Sequence, residues 1–381
     1  MRIDYFRIAV LSLALASSAV LAQESDIETL RVAIDELRAD YDARIAELER
    51  RLAVAEQNAM QANQAAMQPA VGPSATYATG DSAFNPAIGV VFQGFLNANE
   101  GEPGDEEGFA VGETELIMNA NVDDKFAAYL TAALAFEGGE SELEIEEAWV
   151  ESTALSAGLG ARFGRMFSGI GYLNSKHSHT WDFTDQPLPY QAFLDGRYVD
   201  NGVRLSWLAP SDVFIELAGE LMQGEGDPSG LGAHTLFANV GGDVGTDHSW
   251  LAGLSRLDQD TGQELTVAHL VWKWAPNGNW KHRNFVFQTE YFENRDVETS
   301  EGWYAQAVFQ PLPRWRFGAR LDALEIVGDD PKRQSLMVDW SNSEFSRLRL
   351  QFTNDQTGAE DINEWALQYI HSIGAHGAHT F

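Results

Sequence analysis

The feature that most constrains the fold is a series of short segments, from Pro86 to the last residue, in which polar and apolar residues alternate. In FIELAGEL, Glu216 falls on one side of an extended backbone and Leu217 falls on the other. The same alternation recurs in SRLRLQF, where Arg349 opposes Leu350. Clusters of Gly, Asp, Asn or Pro end the segments, as turns end β-strands. The chain therefore predicts a succession of strands, each with one polar and one apolar face.

The number of these segments indicates how the strands are arranged. Sixteen can be counted, centred near residues 92, 116, 131, 147, 162, 205, 218, 239, 253, 270, 289, 307, 320, 338, 350 and 370. An even number of antiparallel strands can pair up and down and close on itself, which leaves no open edge. Closure is required in lipid, because unpaired backbone groups cannot find water there.

The connections between segments alternate in length and chemistry. Short ones read VDDK, LAPSD, QPLPR and NSEF, whereas longer acidic ones include ANEGEPGDEEG (98–108), FEGGESE (136–142) and ENRDVETSEG (293–302). Short turns at one end and long loops at the other are typical of bacterial outer-membrane barrels. We therefore predict an all-β fold over residues 84–381, a transmembrane antiparallel β-barrel of about 16 strands. The alternative is a soluble all-β sandwich, whose apolar faces would turn inward.

The part of the chain before the barrel has a different character. Residues 1–22 combine two arginines with a short apolar stretch, which predicts a secretory signal peptide rather than a membrane anchor. Residues 23–56 carry apolar residues at steps of three and four, which predicts a self-associating coiled coil in the periplasm. A single solvated helix is the alternative. Residues 57–83, rich in Ala, Gln, Pro and Ser, are predicted to be a linker.

Composition excludes several classes of function. The chain has no cysteine, which removes disulfides, thiol catalysis and thiolate metal sites. Its formal net charge of −32 would repel nucleic-acid phosphates and attract cationic solutes. The sequence contains no nucleophile elbow, Gly-rich phosphate loop or HExxH motif. We expect no enzyme, no cofactor and no nucleic-acid partner, with a catalytic site assembled from distant strands as the remaining enzymatic alternative.

One connection, residues 168–202, is much longer than the others and rich in aromatic residues. Connections of this length are commonly functional, and the aromatic residues argue against disorder. If the segment folds into the barrel, its charged side chains would narrow the lumen. The predicted constriction residues are Asp182, Asp185, Asp195, Arg197 and Asp200. The alternative is an external cap that packs on neighbouring loops.

The polar faces of the strands supply candidates for charges that line the lumen. The acidic candidates are Glu113, Glu115, Glu216, Glu220 and Glu290, and the basic ones are Arg204, Arg316, Arg320, Arg347 and Arg349. Acidic and basic walls facing each other would create a transverse field across the lumen. Each assignment depends on strand register, because a shift of one residue reverses the face.

Two histidines in the long connection are candidate metal ligands. His177 and His179 lie two positions apart, so an extended backbone would place both imidazoles on one face. Asp182 is close enough in sequence to add an oxygen ligand. The alternative is that both are ordinary surface histidines.

Four segments carry a resemblance to a known family. They are EIEEAWVES (144–152), GLGARFGRMFSGIGYLN (158–174), HSHTWDFTDQPLPYQAFL (177–194) and GVRLSWLAP (202–210). With the coiled coil, they resemble the phosphate-selective-porin-like group of outer-membrane proteins and are similar to chains labelled zinc-regulated TonB-dependent outer-membrane receptors. The resemblance implies a porin barrel and an association with zinc. The chain departs from it in its acidic loops, where phosphate-selective members use lysine and arginine, and in having no segment long enough for a receptor plug.

These observations predict an outer-membrane porin that passes small hydrophilic solutes by diffusion, favours cations and takes part in the uptake of divalent metals such as zinc. The expected partners are outer-membrane lipid, two further copies of the chain in a homotrimer, and the outer-membrane assembly machinery. The terminal Phe381 resembles the signal that this machinery recognises. The alternative is a non-conducting receptor that binds a ligand at its loops.

Overall fold

The computed structural model describes residues 86–99, 108–137, 140–224, 231–295, 299–326, 328, 330–358 and 360–374, all within one compact unit. The predicted signal peptide, coiled coil and linker lie outside these residues, as does Phe381. Within the described ranges, no helix is long and apolar enough to span a membrane.

Strands account for most of the described chain. They are β1 (Ala87–Asn99), β2 (Gly108–Val111), β3 (Thr114–Asn121), β4 (Phe126–Glu137), β5 (Glu140–Ser152), β6 (Leu159–Phe167), β7 (Val199–Leu208), β8 (Phe214–Met222), β9 (Ala233–Val244), β10 (His248–Gln259), β11 (Glu264–Trp274), β12 (Asn284–Arg295), β13 (Thr299–Leu312), β14 (Trp315–Glu325), β15 (Lys332–Ser343), β16 (Ser346–Gln356) and β17 (Ile362–Gly374). Each of the sixteen predicted segment centres falls within one of these strands or within the pair β2 and β3.

The strands form one closed antiparallel sheet. β17 pairs with β1 along its length, for example His371 opposite Phe92, so the last strand closes the barrel on the first. β2 and β3 both pair with β1, β2 with its second half and β3 with its first half. These two short strands therefore count as one interrupted strand. The barrel has sixteen strand positions, which confirms the predicted fold.

A β-bulge causes the interruption between β2 and β3. Val111 pairs with Gly94, and Glu115 pairs with Val91, so four steps on one strand oppose three on the other. The extra residue reverses the inside and outside positions that follow it. Val111 is half exposed on the outer face, whereas Glu115 is fully buried inside. In a regular strand, Glu115 would share the outward face of Val111.

The two faces of each strand are chemically distinct. On β16, Leu348 and Leu350 are exposed on the outside, while Arg349 and Gln351 are buried inside. β8 repeats the arrangement that its sequence predicts, with its glutamates buried and its leucines exposed. A soluble sandwich would bury the leucines. The apolar outer surface is instead suited to lipid, where these side chains are not exposed to water.

The connections at the two ends of the barrel differ, as predicted. One end, here the short-turn end, has tight turns such as that between β13 and β14. The other end, here the long-loop end, has longer hairpins, but several predicted loops are partly strand. β4 and β5 continue to Glu137 and from Glu140, and β12 and β13 continue to Arg295 and from Thr299. The predicted loops FEGGESE and ENRDVETSEG were therefore too long, because their polar residues can pair as strand once both faces meet water.

Candidate functional site

The long connection between β6 and β7 runs inside the barrel. We call residues 168–198 the inner loop, and it contains a short 3-10 helix (Ser178–Thr180) and the helix α1 (Leu188–Leu194). Its polar groups bond to side chains of β1, β3, β8, β12, β14 and β16. These strands are spread around the barrel. The inner loop therefore lies in the lumen, and the alternative of an external cap is wrong.

α1 packs against an apolar part of the inner wall. Pro189 lies in its first turn, where an amide hydrogen has no helical partner to lose, and Asp195 ends the helix in the left-handed region, at φ 46°. On its buried face, Tyr190 and Phe193 place their rings 5.0 and 6.3 Å from the ring of Phe292 on β12. Burial of these aromatic rings supplies the apolar contribution that holds the inner loop to the wall.

A buried carboxylate on β12 anchors the same part of the inner loop. Glu290 is 1% exposed and accepts hydrogen bonds from the backbone amides of Tyr172 (2.8 Å) and Leu173 (3.1 Å). The hydroxyl groups of Tyr190 (3.0 Å) and Tyr304 (2.5 Å) donate to it as well. Because these four donors satisfy a group that is costly to bury, the position of the inner loop is closely specified.

The substitution Tyr190→Phe tests this anchor. It removes a donor to Glu290 and the hydroxyl group that accepts from the backbone amide of Asn174, so that buried amide loses its hydrogen bond. We expect the free energy of unfolding to fall by about 1–3 kcal/mol, measured by denaturant titration in detergent, and the inner loop to be cleaved faster by protease. The matched control is Tyr369→Phe, because Tyr369 is 48% exposed on the outer face. Equal stability of the two variants would contradict the anchor.

The inner loop also meets a basic wall on β14, β15 and β16. Asp182 forms an ion pair with Arg316 at 2.7 Å, and Asp185 forms ion pairs with Arg320 at 2.6 Å and Arg333 at 3.1 Å. Burial by itself would raise the pKa of Asp185, but the two guanidinium groups beside it hold that pKa below its usual value. Asp185 therefore remains anionic and ties the inner loop to two strands at once.

An acidic wall lies on β3 and β5, separated from the basic wall by β1 and β17. Arg197 places a guanidinium nitrogen 2.6 Å from Glu146 and 3.5 Å from Glu113. His179 places Nδ1 2.9 Å from Glu115. The inner loop thus presents the guanidinium group of Arg197 to the acidic wall and the carboxylates of Asp182 and Asp185 to the basic wall, so these charges complement both walls.

His177 is the residue of the inner loop most enclosed by carboxylates. Its Nε2 lies 3.0 Å from Glu147, and its Nδ1 lies 3.3 Å from Glu146 and 3.5 Å from Glu115. Burial would lower the pKa of His177, but the carboxylates of Glu146, Glu147 and Glu115 that surround the imidazole raise it to about 10. In the absence of another cation, this imidazole is therefore protonated at neutral pH.

A second β-bulge explains why two consecutive glutamates both face His177. On β4, Thr131 pairs with Glu147 and the next residue, Ala132, pairs with Ile145, so Glu146 is the extra residue. Both Glu146 and Glu147 are buried inside, at 4% and 7% exposure. Sequence alternation missed Glu147, because a regular strand would turn one of the two outward.

Three of the five predicted constriction residues contact the walls of the lumen. Asp182 and Asp185 reach the basic wall, and Arg197 reaches the acidic wall. Asp195 is exposed at the end of α1, and Asp200 lies in β7, where it accepts a hydrogen bond from a backbone amide after β8 at 2.7 Å. Asp200 also accepts a hydrogen bond of 3.3 Å from the hydroxyl group of Tyr198, at the end of the inner loop. Asp182 is also held away from the two histidines by Arg316, so it is not placed as their third ligand.

The predicted lumen charges lie on the inner side of the barrel. Six are buried there, namely Glu115, Glu216, Glu220, Glu290, Arg320 and Arg349. The other four are partly exposed and contact inner-wall or inner-loop groups, namely Glu113, Arg204, Arg316 and Arg347. Asp339 was missed, although it alternates with Val338 and Trp340 as an inward residue should. It is fully enclosed by arginines of the basic wall.

Two cavities lie at the inner loop. The first, of about 580 Å³, extends toward the short-turn end and is lined by residues that include Lys176, Glu216 and Phe237. The second, of about 630 Å³, extends toward the long-loop end and is lined by residues that include Glu113 and Arg197. We call them the short-turn vestibule and the long-loop vestibule. Because inner-loop residues line both, a solute moving from one vestibule to the other would pass the inner loop.

Comparison with known proteins supports the fold. No protein-family model matches the chain. A protein of Aquifex aeolicus (strain VF5), described only as uncharacterized, is 27% identical over 362 residues, which covers 77% of this chain and 74% of that protein.

Solved structures with a similar shape include several outer-membrane barrels. The trimer form of OmpT, an outer-membrane protein of Vibrio cholerae, matches with a TM-score of 0.53 at 11% identity, over 76% of this chain and 99% of that chain. The anion-selective porin from Comamonas acidovorans matches with a TM-score of 0.54 at 11% identity, over the same shares. Pseudomonas putida OprB at high pH matches with a TM-score of 0.54 at 10% identity, over 76% of this chain and 94% of that chain. The chain is thus similar in fold, a closed antiparallel barrel of sixteen strand positions, to outer-membrane porins.

Proposed function

We propose that this protein is an outer-membrane porin through which small hydrophilic solutes diffuse past the inner loop. The observation that carries the proposal is the inner loop itself, a folded segment held in the lumen by ion pairs and buried hydrogen bonds, with a vestibule on either side. Porins commonly use such a segment to set the width and charge of the path. The apolar outer face is suited to lipid contact.

The porin is proposed to favour cations, including divalent metals such as zinc. Support comes from the lining of the long-loop vestibule, which contains more acidic than basic residues. The acidic ones are Glu113, Glu144, Glu146 and Asp195, and the basic one is Arg197. A vestibule with excess negative charge raises the local concentration of cations and lowers that of anions. The acidic composition of the whole chain acts in the same direction.

We further propose that the protein forms a homotrimer in the outer membrane, with the predicted coiled coil of residues 23–56 in the periplasm and Phe381 read by the assembly machinery. Supports for these proposals are the regular spacing of apolar residues in that segment and the terminal aromatic residue. A trimer would also let the coiled coils of three chains bury their apolar seams together.

Recordings in planar lipid bilayers test the main proposal. The purified protein is expected to insert as discrete conductance steps, and a KCl gradient is expected to give a reversal potential of the sign for cation preference. A reversal potential of the opposite sign would contradict the proposed cation preference but not the proposed porin function. A barrel that inserts but stays silent would overturn the porin and favour the non-conducting receptor.

Glutamine substitutions in the long-loop vestibule test the source of the preference. Glu113→Gln and Glu144→Gln each remove one negative charge from the vestibule lining. At low salt, removing such a charge changes the energy of a monovalent ion roughly 7 Å away by about 0.6 kcal/mol in water. The local concentration of that ion then changes about threefold. The double variant is therefore expected to shift the reversal potential toward anions. Glu360→Gln, an exposed change away from the vestibule, is the control and should leave the potential unchanged.

A further inference from the structure

We propose that Glu115, Glu146 and His177 form a binding site for one divalent transition-metal cation with the coordination preferences of Zn²⁺. The site lies where the inner loop packs on β3 and β5, and its ligand atoms come from three separate segments of the chain. The inference does not rest on conduction, because a barrel that binds the metal need not pass it.

The three ligand atoms face one another and make no hydrogen bond. They are Glu115 Oε2, Glu146 Oε2 and His177 Nδ1, and each is buried. The carboxylate side chains of Glu115 and Glu146 are 0% and 5% exposed. These three atoms contact one another only in long ion pairs, at 3.3 and 3.5 Å, and burial without a hydrogen bond is costly. One cation at the point where they converge would satisfy all three.

The spacing of these atoms matches that of metal ligands. In a tetrahedral zinc site with bonds of about 2.0–2.1 Å, neighbouring ligand atoms are separated by roughly 3.3–3.4 Å. His177 Nδ1 lies 3.3 Å from Glu146 Oε2 and 3.5 Å from Glu115 Oε2. All three atoms lie within 4.8 Å of one another. One cation can therefore contact all three with small side-chain adjustments, leaving a fourth position for water.

A neighbouring side chain already orients each ligand residue. It contacts the polar atom of that residue that does not face the proposed metal. His177 Nε2 lies 3.0 Å from Glu147, the carboxylate–histidine arrangement that fixes the tautomer of metal-binding imidazoles. Glu115 Oε1 lies 2.9 Å from His179 Nδ1, and Glu146 Oε1 lies 2.6 Å from Arg197. The atoms left over are those that point to the proposed metal. His179 thus supports a ligand rather than acting as one.

The charge around the site is negative. It has four carboxylates, those of Glu113, Glu115, Glu146 and Glu147, and two guanidinium groups nearby, Arg197 beside Glu146 and Arg162 close to Glu147. The excess negative charge of these carboxylates would attract a dication. A bound metal displaces the Nδ1 proton, so metal and proton compete for the same atom. Glu146 also lines the long-loop vestibule, which gives a cation access.

The test uses the full chain, folded in detergent and freed of metal by chelator. Cobalt is added as a spectroscopic probe, and one equivalent of Co²⁺ is expected to produce the intense visible absorption of a tetrahedral site, which one equivalent of Zn²⁺ then abolishes. Glu147→Gln is expected to weaken Co²⁺ binding by roughly 10- to 100-fold, as for other residues that orient a ligand. His177→Gln and Glu115→Gln are expected to weaken it further. His234→Gln is the matched control, because His234 is exposed and its side chain lies near Asp258 instead.

Two results would overturn the proposal: no saturable binding of Co²⁺ or Zn²⁺ by the wild-type protein, or unchanged binding by a folded His177→Gln variant. If the variants do not fold, zinc X-ray absorption of the wild type decides. One imidazole nitrogen with oxygens at about 2.0–2.2 Å supports the site, and two imidazoles contradict it. If the barrel conducts but does not bind metal, the proposed metal site is wrong and the proposed porin function stands.

Discussion

Replacing the inner loop, residues 168–198, with an Asn-Gly turn is expected to raise the single-channel conductance several-fold. Phe167 and Val199, which flank the loop, are directly paired across β6 and β7. A two-residue turn therefore suffices to close this hairpin, and Asn-Gly matches the twist of the strands. The two vestibules would then join into one water-filled path, because the segment that separates them is gone.

The replacement is also expected to lower the stability of the barrel. Leu257, Leu265 and Phe292, now buried under α1, would face water in the lumen. The variant is therefore expected to unfold at a lower denaturant concentration than the wild type. The control replaces residues 356–361, the last residue of β16 and the connection to β17, with the same turn and should leave the conductance unchanged. If removing the inner loop leaves the conductance at the wild-type value, the loop does not limit the path, and the proposed constriction is wrong.

Asp339→Asn is expected to lower the free energy of unfolding by about 3–5 kcal/mol, the cost of breaking a buried ion pair from one side. Asp339 is fully enclosed, pairs with Arg316, and lies 3.8 Å from Arg349 and 4.0 Å from Arg347. Without its charge, three guanidinium groups would remain close together with Asp182 as their nearest counter-charge. Denaturant titration in detergent measures the loss.

Two further variants make the Asp339 result specific. Asp361→Asn, at an exposed position, is expected to change stability by less than about 0.5 kcal/mol. Adding Arg347→Gln to Asp339→Asn is expected to recover part of the loss, because it removes one of the repelling charges. A loss below about 1 kcal/mol for Asp339→Asn would mean that water, rather than Asp339, already screens these arginines.

Much of the barrel could be predicted, because the face of a strand residue depends on a local rule. Glu216 and Leu217 lie on opposite faces of β8 as their alternation requires, and Arg349 and Leu350 do so on β16. The closing strand also has its predicted place, with His371 opposite Phe92. These features follow from a period of two residues and the need to leave no open edge.

The candidate site could be predicted only in part. His177 was a candidate ligand from its spacing to His179, but its neighbours Glu115, Glu146 and Glu147 are contributed by other segments. No short-range pattern relates these positions, since they meet only because the inner loop is folded back against the wall. Distance in sequence therefore concealed the cluster.

The sequence by itself determined the number of strands, their order and the chemistry of their two faces, because each depends on residues that are adjacent in the chain. Only the tertiary structure decided which carboxylates reach His177. The bulges before Glu115 and at Glu146 shift the alternation by one residue, and a bulge is visible only when a strand is compared with its partner. The ion pairs of Asp185 with Arg320 and Arg333 likewise depend on how a long segment packs in the lumen. Local periodicity carries no record of such long-range pairing.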